Sequence, residues 1–127
     1  MAEEVIVRLK ITSDIHTPEF ISEVLGIPYD RCWRIGDLRL KTTIRERVNG
    51  WILNSGLEKT VVLEEQIRAL LDRLEPVKKK IRSALAEDAV ELSCAIYAEF
   101  APALNFESQV ITDISSLGAS LDIDLYL

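Results

Sequence analysis

Residues 90–100 read VELSCAIYAEF, and their alternation decides the fold. Val90, Leu92, Cys94, Ile96, Ala98 and Phe100 fall on one side; Glu91, Ser93, Ala95, Tyr97 and Glu99 fall on the other. Successive side chains of a strand point to opposite faces, so this is a β-strand with one face in a core and the other nearer water. Burying each large apolar side chain is worth roughly 1.5–3 kcal/mol. A slip of one residue would forfeit that and carry glutamates inward, so the register is firmly set.

A second alternating run, Val5 to Thr12, offers it a neighbour. Val5, Val7, Leu9 and Ile11 alternate with Ile6, Arg8, Lys10 and Thr12. Its outer row is basic where that of 90–100 is acidic. Opposite charges across a strand pair contribute roughly 0.2–1 kcal/mol each, so Arg8 and Lys10 are expected opposite Glu91 and Glu99.

Between these strands lie helix and turn signals. Thr17-Pro18-Glu19 opens a helix with an N-cap, a proline suited to the first turn and an acid at the positive end of the dipole. Phe20, Ile21, Val24 and Leu25 are its expected inward stripe, and Gly26 its stop. Short strands are expected at Arg31–Ile35 and Trp51–Ser55, joined by a polar, charged connection from Asp37 to Gly50. Val62 to Ala86 reads as two helical stretches kinked at Glu75-Pro76, with Lys78, Lys79, Lys80 and Arg82 toward solvent. Beyond the central strand, Ser108 is expected to cap a helix with Val110, Ile111 and Ile114 inward. Gly118 ends it, and Ala119–Leu127 forms a last strand. There Ala119, Leu121, Ile123, Leu125 and Leu127 should face in, and Ser120, Asp122, Asp124 and Tyr126 out.

The order β-α-β-β-α-β-α-β predicts a single α+β domain over 1–127. The plan is a single-layer mixed or antiparallel sheet with helices on one face, ferredoxin-like βαββαβ plus an extra C-terminal αβ unit. The length of 127 residues suits one core without staples.

Charge narrows the function classes. The formal net charge is −6, and all of it lies in the second half, because residues 1–60 carry nine acids and nine bases. This argues against nucleic acid and against anionic membranes as partners. No stretch reaches the ~20 apolar residues of a membrane span. The opening MAEEVIVRLKI has neither a basic n-region nor a long apolar run, so no signal peptide and a cytoplasmic location are expected. Cys32 and Cys94, the two cysteines, are then expected as free thiols.

The whole-chain pattern resembles a known family. The stretch TPEFISEVLGIPYDRCWRIGD, Arg45-x-Arg47-x-x-Gly50-Trp51, the Leu63-Glu64-Glu65-Gln66 helix and the closing LGASLDIDLY resemble the domain-of-unknown-function family DUF4279, from about Val5 to Tyr126. The resemblance implies a bacterial, intracellular αβ protein, and it carries no catalytic residues over to this chain.

Four constellations bear on chemistry. Trp33, Arg34, Asp37, Arg39, Lys41, Arg45, Arg47 and Trp51 fall within nineteen positions, and Asp30–Arg47 holds six bases against three acids. Arginine stacked on tryptophan with further guanidinium groups would cradle a phosphate or carboxylate; the plainer alternative is tryptophans in packing and arginines coating a loop. Asp122, Asp124 and Tyr126 share one strand face with the carboxylates roughly 7 Å apart. That spacing would suit acid–base or cation chemistry, docking of a basic partner, or simple solvation. Asp14-x-His16 supplies at most two metal ligands where three or four are needed, so it reads as a polar loop and no metal is expected. The Lys78–Arg82 cluster reads as a solvated helix face. No Gly-x-Ser-x-Gly turn or other nucleophile signature is present, and no catalytic residue and no cofactor are assigned.

Two functions therefore stand as expectations. The first is a non-catalytic protein-binding module, immunity-type in its concrete form, whose acidic C-terminal surface covers a basic site on a partner. The second is an anionic small-molecule site, of a binding protein or an enzyme, in the Trp/Arg-rich segment 33–51. They part on whether the 37–50 connection folds over the sheet to make a pocket or extends away as an arm. Homo-oligomerisation through a short strand edge is compatible with either.

Overall fold

A computed structural model of the chain describes residues 3–127; Met1 and Ala2 of the expected domain lie outside the described residues. Strands β1 (Glu4–Ser13), β2 (Arg31–Trp33), β3 (Asn49–Asn54), β4 (Ala89–Tyr97) and β5 (Ser120–Tyr126) form one open sheet in the order β2-β3-β1-β4-β5. Neighbours are antiparallel except β4 and β5, which run parallel. The helices are α1 (Pro18–Leu25), α2 (Leu63–Leu74), α3 (Lys78–Ala84) and α4 (Ser108–Ser116).

The two alternating runs are the central pair of the sheet. Val7 lies opposite Cys94, Leu9 opposite Leu92 and Ile11 opposite Val90, and all six are buried. On the second side, the open face, Ile6, Arg8, Lys10 and Thr12 are half-buried. Lys10 faces Glu91 at 3.1 Å, as the charge rows predict. Arg8 instead faces Ser93, because Glu99 lies past the end of β4. The strand stops at Tyr97, short of the expected Phe100, since its partners run out there: Glu4 on β1 and Tyr126 on β5 both pair with Tyr97. Phe100 is accordingly 78% exposed.

The helix signals hold locally. The Thr17 hydroxyl accepts from Phe20 N at 3.1 Å, and Gly26 takes φ 68°, a left-handed conformation that glycine adopts without strain. Ile21 and Leu25 are buried as expected, but Phe20 turns outward and stacks on His16 with ring centroids 4.5 Å apart. The kinked pair appears as α2, a 3-10 turn over Glu75–Val77, and α3. Arg68 on α2 reaches Asp113 on α4 at 2.9 Å, and that guanidinium, helped by the Gln109 amide, holds the Asp113 carboxyl below its usual range. Ser108 is the first helical residue rather than the cap; Glu107 occupies the cap position without a side-chain hydrogen bond. Of the expected inward residues of α4, Ile114 is buried and Val110 half-buried, while Ile111 faces water.

The last strand departs most from expectation. Leu121, Leu125 and Leu127 are exposed, and Ile123 is half-buried. Alternation is present, but β5 is the sheet edge and has no strand beyond it among the described residues.

Cys94, buried on the core side of β4, has its thiol pushed up to about 12 by burial, with a smaller push from Asp122. A thiol reagent at pH 8 should modify one cysteine per folded chain, half-buried Cys32, and two after unfolding. Between its ordinary value of 9.0 and 12 the unfolded thiol has lost a proton that the folded one keeps. Stability should therefore fall as pH rises through that window, and less so in Cys94→Ala.

Candidate functional site

The site begins at a glycine. Trp33 on β2 lies opposite Gly50 on β3, both on the open face. A Cβ at position 50 would stand 2.0 Å from the indole, so only glycine lets Trp33 lie flat on the sheet. Trp51, one residue on, points the other way. It is wholly buried and donates from Nε1 to Ser22 Oγ at 2.9 Å.

From Trp33 the chain runs into a small hairpin over residues 34–48. Asp37 accepts from Arg34 N at 2.8 Å, and Gly36, at φ 93°, makes the turn. Gly36 N donates to Glu46 O at 2.8 Å and Glu46 N to Asp37 O at 2.7 Å; Leu38 bridges Arg45 farther out. Asn49 fixes the root, accepting from Ile35 N at 2.9 Å and donating to His16 O at 2.9 Å.

This hairpin folds over the sheet. Ile52 lies on the open face yet is 6% exposed. Between hairpin and sheet is a cleft of about 790 Å³. Arg8, Lys10 and Ser93 line its floor with Ile52, Arg31 and Trp33 its β2 side, and Asp37, Leu38, Arg39 and Leu40 its hairpin side. Cys32 and Glu46 complete it, so four basic residues meet two acids. Lys10 is engaged by Glu91 at 3.1 Å and Arg39 by Glu46 at 3.0 Å. Arg8 Nε and Trp33 Nε1 are buried and have no hydrogen-bond partner among the described residues. Buried donors are nearly always paired, so two orphans in one cleft mark a place where an acceptor belongs.

The expected site residues are thus divided. Trp33 and Asp37 line the cleft. Arg34, Arg45 and Arg47 do not: Arg34 pairs with Glu19, Arg45 donates to Gly36 O at 2.8 Å, and Arg47 is exposed. Trp51 belongs to the core. Asp122, Asp124 and Tyr126 sit on β5, opposite Ser93, Ala95 and Tyr97, with Tyr126 stacked on Tyr97 at 4.6 Å between centroids. Arg39 of the Trp/Arg-rich segment lines the cleft as well, and Arg8, Lys10 and Arg31 are cleft residues outside the expected constellation. The strand parity of Arg8 and Lys10 had already placed them on the open face.

His16 is held by a residue far from it in sequence. Its Nδ1 lies 2.8 Å from Asp88 Oδ2, and that aspartate side chain is 1% exposed. Neither residue lines the cleft. Among the described residues no three of His, Cys, Asp and Glu gather as a metal site, and no helix is long and apolar enough to cross a membrane.

A family model described as a domain of unknown function, DUF4279, matches residues 3–127. No curated protein and no solved structure matches the chain.

Proposed function

We propose a function for this chain, which belongs to the DUF4279 family, from its own cleft: it binds a small anionic molecule, without catalysis, between the hairpin and the open sheet face. The observation that carries this reading is the pair of buried, unpartnered donors Arg8 Nε and Trp33 Nε1 in one basic cleft. A ligand carboxylate or phosphate would supply acceptors to donors of this kind, and the indole with Leu38, Leu40 and Ile52 offers an apolar surface to the rest of the ligand. The two carboxylates of the cleft are engaged, Asp37 by Arg34 N and Glu46 by Arg39, which leaves donors and positive charge to hold an anion.

The test is a thermal-shift screen of anionic metabolites and nucleotides. A ligand at a hundred times its Kd adds about 2.7 kcal/mol to the folded state. That shift should vanish in Arg8→Gln, which loses the charge at the cleft floor, and in Gly50→Ala, which forces Trp33 off the sheet. Arg34→Ala and Arg47→Ala, outside the cleft, should keep it. A shift that survives Arg8→Gln, or is lost in Arg47→Ala, would place the ligand elsewhere.

The protein-binding reading stands second, as a bacterial cytoplasmic module of immunity type, favoured by the exposed acids Asp122 and Asp124. The sheet itself we read as the split βαβ, ferredoxin-like plan with one parallel strand added. The antiparallel run β2-β3-β1-β4 supports this, with the helices taken to cover the Val7–Leu9 face.

A further inference from the structure

We infer that the free edge of β5 is a docking site for an extended segment of another protein in which basic and apolar side chains alternate. β5 pairs with β4 on one side, and no strand follows it on the other among the described residues. Its outer backbone groups are therefore a template for a further strand.

The two edges of this sheet are treated differently. β2 is three residues long and leads into the hairpin that folds over the sheet. β5 runs for seven residues, SLDIDLY, without proline or lysine. Lysine, proline and brevity, three usual guards of an edge, are absent; the charges β5 does carry, Asp122 and Asp124, repel an acidic or identical strand but not a basic one. Its core-side row is covered only at Ile123, which packs against the core, while Leu121 is 37% and Leu125 43% exposed. Its open-face row carries exposed Asp122 and Asp124.

Charge selects the occupant. A second copy pairing antiparallel about Asp122, Ile123 or Asp124 sets aspartate against aspartate, and like charges directly opposite destabilise a strand pair. A segment with lysine or arginine at alternate positions meets Asp122 and Asp124 on one face and lays apolar side chains along Leu121 and Leu125 on the other. No β5 residue lines the hairpin cleft, so this site is independent of the anion reading.

The test uses two synthetic hexapeptides of equal composition, one alternating lysine and valine, the other with three lysines followed by three valines. Binding is read by titration and by amide NMR shifts. The alternating peptide should bind at least tenfold tighter, with shifts confined to residues 120–126, and Asp122→Lys/Asp124→Lys should abolish that binding. Should the charge-reversed protein fail to fold, Asp122→Asn/Asp124→Asn should still weaken binding severalfold. Equal affinity for the two peptides, no binding of either, shifts at residues 34–48 instead, or a concentration-dependent dimer in ultracentrifugation that excludes the peptide would overturn the proposal.

Discussion

Trp51→Ala should remove about 3–5 kcal/mol of unfolding free energy, the ordinary cost of emptying a buried aromatic site, measured from urea midpoints at constant slope. Against total stabilities of about 5–15 kcal/mol for domains in general, that leaves the fold marginal. Trp51 is wholly buried in the middle of β3, between Ile11 of β1 and Cys32 of β2. Its indole also donates to Ser22 Oγ on α1 at 2.9 Å, so the truncation leaves a cavity and a lost tether together. Trp51→Phe separates the two, because it keeps most of the packing and gives up a hydrogen bond worth about 0.5–1.5 kcal/mol. If Trp51→Ala cost no more than Trp51→Phe, the cavity would have collapsed and the packing account would be wrong.

The two tryptophans show what a sequence withholds. Both sit in short strands among arginines, and nothing local says that Trp51 faces the core and Trp33 the open face. β2 is three residues long, too short for an alternation that would fix its parity. Parity comes from pairing, Trp51 opposite Cys32 and Trp33 opposite Gly50. β1 and β4 were legible because nine or ten residues of strict alternation leave one choice of inward face, and because a basic row met an acidic one. The α1 boundaries were legible because Thr17, Pro18 and Gly26 each act within one turn.

The cleft was half legible. Trp33 and Asp37 stand out locally, whereas Arg8 and Lys10 join them only once the hairpin folds over β3 and β1. The His16–Asp88 pair spans 72 positions. It follows from register alone, since Thr12 pairs with Ala89 and the two residues lie just beyond the end of that ladder. On β5 the alternation is real but burial is not, because alternation reports which residues share a face and is silent on whether anything covers it.

Gln66 is the residue whose weight the sequence least suggests. It is a polar residue in the Leu63-Glu64-Glu65-Gln66 run, yet it is 1% exposed. The reason lies in the length of β3, whose pairing with β1 ends at Arg8 opposite Asn54. The first residues of β1 therefore lack a strand on that side, and the 55–61 segment stands in for it. Ser55 N donates to Val7 O at 3.0 Å, and Val5 N donates to Lys59 O at 2.8 Å. Gln66 locks this patch, with Nε2 donating to Val5 O at 2.8 Å and Val61 O at 2.9 Å while Oε1 accepts from Ser55 Oγ at 2.9 Å. Gln66→Leu matches its size and strips those bonds. At about 1–3 kcal/mol for each buried group left unpaired, the loss should be roughly 2–5 kcal/mol. Native-state hydrogen exchange should show it locally, with the Val5 and Ser55 amides losing protection before those of Leu9 and Leu92. Gln66→Glu should restore the acceptor for Ser55 but bury a carboxylate beside three carbonyl oxygens, those of Val5, Glu58 and Val61. Its penalty should therefore grow as pH rises through the carboxyl pKa, whereas that of Gln66→Leu should not change with pH. A Gln66→Leu protein that lost less than about 1 kcal/mol, with Val5 still protected, would mean that the 55–61 segment holds the start of β1 without Gln66.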